Sequence, residues 1–350
     1  MGAATDSGSA VYVTVSALDA GHLTLPERLF VTDADPEKRS TVPSLSFLIQ
    51  HPSPSPSRTS SKTTNIVFDL GVKRDLTGYP PAQQAHIAQR QPTITDPDCA
   101  ASLRYGNSQE KRAEVLLDPG KDIDTVILSH VHWDHVGTPS DFSNATFAVG
   151  SGTLDLLKHG AGPLYPAEIF NDDELPKSRT VEFPPVSRTG SGQYDTAEHT
   201  PKHTPTPSNS QVKLPPSAAK WSWEPLAAFP HALDFFGDGS LYVIDSPGHL
   251  YGHVNLLARV GDRKYVYLGG DCCHDPRILS GEKDIALYDD GRGGKRSVHV
   301  DTGVARKTLD QITEFVKERR EGGVLEVETV VAHDGVWRAQ NRHRFWPGNL

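Results

Sequence analysis

The chain has 350 residues, a formal net charge of −9 and 36% hydrophobic residues, which suits one large or two smaller globular domains. No run of Lys and Arg suggests a phosphate-binding face, which argues against nucleic acid as a partner. No apolar stretch approaches the roughly 20 residues of a membrane span. The N-terminal residues lack a secretory pattern and the three cysteines make no disulfide framework, so we expect no membrane partner and a cytoplasmic setting.

Apolar runs rich in β-branched residues predict a series of short strands along the chain. The first covers residues 11–18 and is followed by a predicted long loop over 19–40. Two further strands, 45–50 and 65–70, predict a hairpin. Later strands are predicted at 125–128, 145–149, 233–236, 240–244, 254–260, 264–268 and 325–331. Helices are predicted at 80–88, 110–117, 152–159 and from Asp301 to about Arg319, where Ala305, Leu309, Ile312 and Val316 form an apolar stripe.

Two polar segments interrupt this pattern, at about 51–64 and 184–219. Both are rich in Pro, Ser and Thr and contain few large apolar residues. Such segments cannot bury enough apolar surface to offset the entropy lost on ordering. We therefore predict a single domain over residues 1–350 with mobile inserts at these two places.

A dense group of potential metal ligands follows the strand that ends near Leu128. The run is Ser129-His130-Val131-His132-Trp133-Asp134-His135. Side chains two residues apart in an extended segment point the same way, so His130 and His132 can bind one cation together. After the chain turns, Asp134 and His135 can bind a second. Neutral imidazole and carboxylate are the ligands that Zn²⁺ takes in hydrolytic sites.

Three further candidate ligands share one local arrangement, in which an apolar strand delivers the residue at its C-terminal end. They are His249 in SPGH, Asp271 in GGD and His333 in VAHD. Each by itself could be an ordinary turn residue or strand-end residue. Their repetition predicts that they complete the site begun by His130 to His135.

In order, FDLG (68–71), HVHWDH (130–135), PGHLYGH (247–253), GGD (269–271) and AHD (332–334) resemble the motifs of the metallo-β-lactamase superfamily. The likeness spans nearly the whole chain and is strongest to the branch of N-acyl-homoserine-lactone lactonases. The resemblance implies an α/β fold, an αββα sandwich in which two mixed β-sheets lie face to face between helices. It places the site at one edge of the sheets.

The resemblance also implies a set of ligands for two divalent metal ions. It assigns His130, His132 and His249 to the first metal, Asp134, His135 and His333 to the second, and Asp271 as a bridge between them. His253 and Asp69 would orient these ligands without binding metal. Zn²⁺ is the default cation, with Mn²⁺, Fe²⁺ and Co²⁺ as alternatives for His and Asp sites of this kind.

One position departs from the pattern of the lactonases. They carry a tyrosine three residues after the bridging aspartate, where this chain has His274. A histidine there could polarise the substrate carbonyl or protonate a leaving group, which makes His274 a candidate catalytic residue. The alternative is an exposed loop residue.

The predicted function is a dinuclear metal-dependent hydrolase that opens a small cyclic ester or cyclic amide. Lactones, lactams and benzoxazolinone-like rings present the same electrophile to a metal-bridging hydroxide, which Asp134 would orient. Pocket walls are predicted at 19–40, 165–170, 276–299 and Trp337. Two alternatives stay open: an oxidoreductase like the persulfide dioxygenases, with one iron, and a thioesterase like glyoxalase II. The sequence gives no indication of oligomeric state.

Overall fold

The computed structural model describes residues 10–53, 62–106, 116–186, 211–321 and 325–350. The strands in these ranges are β1 (Thr14–Pro26), β2 (Arg39–Ser53), β3 (Lys62–Phe68), β4 (Thr125–Ile127), β5 (Thr146–Val149), β6 (Gly160–Ala161), β7 (Tyr165–Pro166), β8 (Thr180–Glu182), β9 (Glu224–Leu226), β10 (Phe229–Asp234), β11 (Leu241–Asp245), β12 (Val254–Arg259), β13 (Lys264–Leu268), β14 (Tyr288–Asp289), β15 (Lys295–Arg296) and β16 (Glu326–Val330).

The α-helices in the same ranges are α1 (Pro81–Ala88), α2 (Cys99–Tyr105), α3 (Pro119–Asp122), α4 (Trp133–Val136), α5 (Thr153–His159), α6 (Pro276–Leu279), α7 (Thr302–Glu321) and α8 (Gly335–Gln340). The longest, α7, begins after Asp301, whose carboxylate accepts a hydrogen bond from the backbone N–H of Val304 at 2.9 Å. None of the helices among the described residues is both long and apolar enough to cross a membrane.

Two six-stranded mixed sheets form the body of the molecule. The first has the order β1-β2-β3-β4-β5-β8, with antiparallel pairing from β1 to β3 and parallel pairing from β3 onward. The second has the order β16-β13-β12-β11-β10-β9, and only its β13–β16 pair is parallel. Parallel neighbours end at the same edge of a sheet, so the residues that follow them lie near one another.

The main core lies between the two sheets because successive strand residues point to opposite faces. Phe47 and Ile66 of the first sheet share one buried cluster with Val243 and Leu256 of the second. The next residue along β12, Leu257, belongs to a different cluster on the outer face. Both faces of these strands are therefore apolar and both are covered.

Helices cover the two outer faces. On the first sheet, Leu103 of α2 and Leu156 of α5 join Leu48 and Val67 in an outer cluster. On the second, α7 supplies its predicted stripe: Ala305, Leu309 and Ile312 are buried there and Val316 packs beside them. The layers run helix, sheet, sheet, helix, which confirms the predicted αββα sandwich.

The predicted loop over 19–40 is wrong at both ends, because β1 continues to Pro26 and β2 already begins at Arg39, which leaves residues 27–38 as the connection. The pairing of β1 with β2 shifts register between Asp19 and His22, around Gly21 at φ +91°. This bulge inserts an extra residue and breaks the two-residue period on which the strand prediction relied. Helix α2, capped by Asp98, was also missed.

Most of the two predicted inserts cannot be compared with the fold. Residues 54–61 and 187–210 lie outside the described residues, as does most of the predicted helix 110–117. The described end of the second insert is packed: Val212 and Leu214 contact the core between the sheets, and residues 216–220 form a short 3-10 helix. The prediction of a mobile segment reached too far at this end.

Candidate metal centre

All seven predicted ligands meet at one edge of the sandwich, each just after a strand. His130 and His132 follow β4, and α4 carries Asp134 and His135. The other three follow β11, β13 and β16: they are His249, Asp271 and His333. Because β13 and β16 are parallel neighbours, Asp271 and His333 emerge at the same edge. The site thus combines one loop of the first sheet with three of the second.

The first group brings three imidazole nitrogens together. His132 Nδ1 lies 2.9 Å from His130 Nε2 and 3.0 Å from His249 Nε2, and the two Nε2 atoms are 3.2 Å apart. Two ligands of a tetrahedral zinc ion, with Zn–N of about 2.0 Å, are roughly 3.3 Å apart. The three nitrogens therefore have the spacing of one face of a metal's coordination shell.

The second group consists of Asp134, His135 and His333, whose ligand atoms also lie close together. His333 Nε2 is 3.5 Å from Asp134 Oδ2, and His135 Nε2 is 4.0 Å from it. This group sits beside the first, and all of its members are buried.

Asp271 lies between the two groups and turns one carboxylate oxygen toward each. Its Oδ2 is 3.7 Å from His130 Nε2 and 3.5 Å from His249 Nε2. Its Oδ1 is 3.2 Å from His135 Nε2 and 3.1 Å from His333 Nε2. With one oxygen facing each group, the carboxylate could bridge two cations.

The ring nitrogens on the outer side of the site have fixed partners. His135 Nδ1 contacts Asp69 Oδ2 at 2.8 Å, and His333 Nδ1 contacts the carbonyl of Pro43 at 2.7 Å. His249 Nδ1 lies 3.2 Å from Nδ1 of His299, a buried residue that the sequence reading did not single out. Such outer contacts set the tautomer, so that the opposite nitrogen is free to bind a metal.

Asp69 and His253 occupy the supporting positions predicted for them. Asp69 has φ +58°, a left-handed conformation uncommon outside glycine, and its carboxylate accepts hydrogen bonds from the N–H and Oγ of Ser129, each at 2.7 Å. It thereby fixes the start of the ligand loop. His253 Nδ1 contacts the Ser246 carbonyl, and its Nε2 accepts from the N–H of Asp271 at 3.2 Å.

The donor set fits divalent metal ions by its unpaired buried atoms and its charge. His135 Nε2, His333 Nε2 and Asp271 Oδ1 are buried and lack a hydrogen-bond partner among the described residues. Buried polar atoms are rarely left so, and three that converge indicate a cation site.

The charge states at the site also suit metal binding. Burial lowers the pKa values of His130, His132 and His249 well below the usual value for imidazole, which keeps these rings neutral. Burial opposes ionisation of Asp271, but the neighbouring His135 and His333 hold its pKa well below its usual value. Burial disfavours the charged forms of His135 and His333 too, but Asp271 outweighs it and raises their pKa values, so a cation would compete with protons for these two rings. Neutral rings and an ionised carboxylate are the forms that bind metal.

His274 is part of the site and is not an exposed loop residue. Its Nε2 lies 3.1 Å from Asp271 Oδ2, and its side chain is only 8% exposed. The ring packs against Phe30, with 4.7 Å between ring centroids, and faces His249 at 5.0 Å. The position three residues after Asp271 thus carries an imidazole that lies within the site. The catalytic role of His274 stays a prediction.

A pocket opens over the two groups of ligands. Its lining includes apolar and aromatic side chains from three predicted wall segments: Leu23, Leu25, Phe30, Tyr165, Ile169 and Val298. The Tyr165 hydroxyl donates to the Val298 carbonyl at 2.5 Å, which joins two of these segments. The fourth predicted wall, Trp337, is wrong: its ring is packed in the core near Phe47 and its indole N–H donates to Glu328.

One wall of the pocket was not predicted from the sequence. It consists of Gln83, His86 and Arg90, on and just after α1. No metal motif or apolar period marks these residues, and only their spacing of three and four places them on one helix face. Cys272 and Cys273 are buried behind the site, with free thiols.

Comparisons with known proteins identify the family. The model of the metallo-beta-lactamase superfamily matches residues 105–319, more than half of the chain. Among curated proteins, the chain is 30% identical over 279 residues to the cytochrome P450 monooxygenase mpaDE of Penicillium roqueforti (strain FM164), a match that covers 77% of this chain but only 27% of that protein. It is 32% identical over 211 residues to gamma-lactamase MBL2 of Gibberella moniliformis (strain M3125 / FGSC 7600), covering 60% of this chain and 70% of that protein.

The fold comparison agrees with the family match. A solved structure of an N-acyl homoserine lactone hydrolase, with its product N-hexanoyl-L-homoserine at the catalytic metal center, superposes with a TM-score of 0.57. The alignment covers 97% of this chain and all of that one at 14% identity, so it supports the fold alone. Family model, relatives and fold lead to one conclusion: the chain belongs to the metallo-beta-lactamase superfamily.

Proposed function

We propose that the chain is a metallo-hydrolase with two divalent metal ions, which opens a small cyclic ester or cyclic amide. The observation that carries the proposal is the Asp271 carboxylate, which turns one oxygen to each of two groups of His and Asp side chains. A single cation would leave one of these groups, with its unpaired buried nitrogens, without a role.

The residues of the site divide the chemistry between them. Bound at the seven ligands, divalent cations would supply an ionised water near neutral pH and polarise the ring carbonyl. Asp134 lines the pocket and can orient the attacking water and accept its proton. His274 lines the pocket on the other side of Asp271 and can donate a proton to the leaving oxygen or nitrogen.

The choice of ring substrates is supported by the relatives and by the pocket. One relative is named a gamma-lactamase, and the lactone hydrolase with the same fold opens a ring ester. Phe30, Trp133 and Tyr165 give the pocket flat apolar walls that suit a small ring. Lactones, lactams and benzoxazolinone-like carbamates all meet these requirements, and Zn²⁺ is the first metal to test.

The test is a proton-release assay on acyl-homoserine lactones, simple lactones, γ-lactams, benzoxazolinones and thioesters, with metal content measured on the same sample. We expect turnover confined to ring esters or ring amides and about two metals per chain. Asp134→Ala and Asp271→Ala should each lose most activity, whereas Asp310→Ala, on the exposed face of α7, should keep it.

Other outcomes would contradict the proposal. Turnover of thioesters alone would favour a glyoxalase II-like thioesterase. One bound iron with oxygen uptake and no ring opening would favour a persulfide dioxygenase. The metals of the Asp134→Ala and Asp271→Ala variants should also be removed and the metal content measured again. Full activity of both variants after that treatment would refute the roles assigned to Asp134 and Asp271.

A further inference from the structure

One wall of the pocket is polar and comes from a single helix face. Gln83 and His86 lie one turn apart on α1, and Arg90 follows just beyond the helix. All three line the same pocket as Asp134, Asp271 and His274. None of the three belongs to a group of side chains that could hold a metal. They therefore need an explanation other than metal binding.

Two side chains of this wall, those of Gln83 and Arg90, lack a polar partner among the described residues. Gln83 is 3% exposed and its Nε2 has no hydrogen-bond partner among the described residues. Arg90 makes no ion pair with any described residue, unlike Arg74 or Arg338, whose guanidinium groups are held by carboxylates. A buried amide N–H left unpaired is costly, and a guanidinium without an ion-pair partner lies in the same pocket, which points to a partner that arrives with the ligand.

The charge of Arg90 is not balanced by the site itself. Asp134 is the carboxylate that acts most strongly on the charge of Arg90, and the metal ions proposed above would neutralise Asp134. Burial lowers the pKa of His86 to about 4, so this ring is neutral near pH 7 and adds no charge of its own. Arg90 is thus the single fixed charge of a wall that otherwise offers neutral hydrogen-bonding groups.

The rest of the pocket gives the opposite environment. Phe30, Trp133, Tyr165 and Val298 are each at most 9% exposed and present apolar surface. A ring held against these residues, with its carbonyl at the metal ligands, would carry its polar substituents toward α1. A carboxylate matches the flat fork of donors on a guanidinium better than any neutral group does.

We propose that Gln83, His86 and Arg90 form a subsite for an ionised carboxylate on the ring substrate. The inference rests on the proposed ring-opening function and narrows its substrate class to acidic lactones or lactams. Arg90 supplies the charge, and Gln83 and His86 supply hydrogen bonds beside it. The subsite acts on substrate selection and takes no part in breaking the ring bond.

The test uses a pair of inert ligands, so that binding is measured without turnover. The ketones 3-oxocyclopentane-1-carboxylate and 3-oxocyclopentane-1-carboxamide have the shape of a γ-lactone, but their rings contain no bond that can be hydrolysed. Their binding to the metal-loaded protein is measured by calorimetry. We expect the carboxylate to bind about tenfold more tightly, the size of one charge-assisted hydrogen-bonded pair.

The decisive variant is Arg90→Met, which keeps the alkyl stem and removes the charge. It should weaken carboxylate binding about tenfold and leave carboxamide binding within about twofold. Arg90→Lys should restore part of the loss. Arg28→Met is the matched control, since Arg28 is exposed and, among the described residues, its guanidinium donates to the Pro36 carbonyl alone. It removes a guanidinium charge outside the pocket lining and should leave both affinities unchanged.

Two results would overturn the subsite: equal binding of both ketones by the unchanged protein, or equal weakening of both by Arg90→Met. Assays with the corresponding lactones, 5-oxotetrahydrofuran-2-carboxylate and its carboxamide, distinguish failure of the subsite from failure of the proposed hydrolase function. Preference for the carboxylate ketone without turnover of any ring would refute the hydrolase and leave the subsite standing. Turnover of both lactones at equal kcat/KM would refute the subsite alone.

Discussion

At the scale of single residues, the site depends on which nitrogen of each histidine is free. His135 and His333 each contact a fixed acceptor through Nδ1, which leaves Nε2 toward Asp271. His132 does the reverse and turns Nδ1 to its neighbours. A ring whose outer partner is removed can change tautomer and turn an N–H toward the cation.

Replacing Asp69 by Asn should therefore weaken the metal group that contains His135. Asn tolerates the left-handed conformation at φ +58°, so the backbone should be kept while the negative charge behind the ring is lost. We expect a loss of about 10- to 100-fold in affinity for one of the two metals. Competition with a chelator, followed by metal analysis, measures it. Asp310→Asn is the control, and unchanged affinity for both metals would contradict the prediction.

Replacing His274 by Gln tests its role in proton transfer. Gln keeps a polar side chain but cannot pass a proton, so kcat should fall about 100-fold while two metals stay bound. His159→Gln, at an exposed position of α5, should leave kcat unchanged. Loss of a metal along with activity would instead make His274 a ligand, and unchanged kcat would remove it from the mechanism.

At the scale of elements, the long β1 strand is tied to the C-terminal helix. Asp19, at the bulge in β1, accepts hydrogen bonds from Arg338 of α8 at 2.6 and 3.0 Å and from Arg342 at 2.7 Å. Burial disfavours the ionised form of Asp19, but the two guanidinium groups favour it more strongly. The pKa of Asp19 therefore lies below its ordinary value of 3.8. The same helix carries Trp337 into the core.

Asp19→Asn should lower the free energy of unfolding at pH 7 by about 2 kcal/mol, because two partly buried guanidinium groups lose their counter-charge. A carboxyl whose pKa is lower in the folded protein stabilises it fully above pH 3.8 and loses that contribution as pH falls through the folded-state pKa. The difference between the two proteins should therefore shrink toward acid. Urea unfolding from pH 7 downward measures it, and a difference independent of pH would contradict the ion-pair account.

At the scale of the whole molecule, the metal centre joins the two sheets. Loops after β4 of the first sheet and after β11, β13 and β16 of the second supply its ligands. Glycines allow this close approach: a Cβ on Gly270, at φ +45°, would lie 2.8 Å from the Cβ of Ser129 in the first loop. A cation bound here would connect the two sheets, and it would find this set of ligands assembled only in the folded protein.

Removing the metals should therefore lower the midpoint of thermal unfolding. A ligand present at a thousand times its Kd stabilises the folded state by about 4 kcal/mol. We expect a chelator to lower the midpoint by several degrees in the unchanged protein and by much less in Asp271→Ala. Calorimetry with and without chelator measures both. Equal midpoints with and without metal in the unchanged protein would show that the sandwich does not depend on the centre.

The sandwich and the seven candidate ligands could be predicted from the amino-acid sequence alone. Each ligand directly follows an apolar strand in a short, recognisable motif, so its place depends on local structure that the chain carries with it. The helix after Asp301 and its stripe of buried residues could be predicted for the same reason. Metal binding by these residues stays a prediction until it is measured.

Which other residues reach the site depends on how the elements pack against one another. The sequence left His274 either at the site or in an exposed loop. Its ring packs against Phe30 and His249, which places it inside the pocket. Arg90 enters the pocket because α1 packs there, and Trp337 leaves it because α8 turns the ring into the core. Because of the bulge at Gly21, the part of β1 that follows it was not predicted as a strand. These positions follow from contacts between distant parts of the chain, which leave no period or motif in the sequence around each residue.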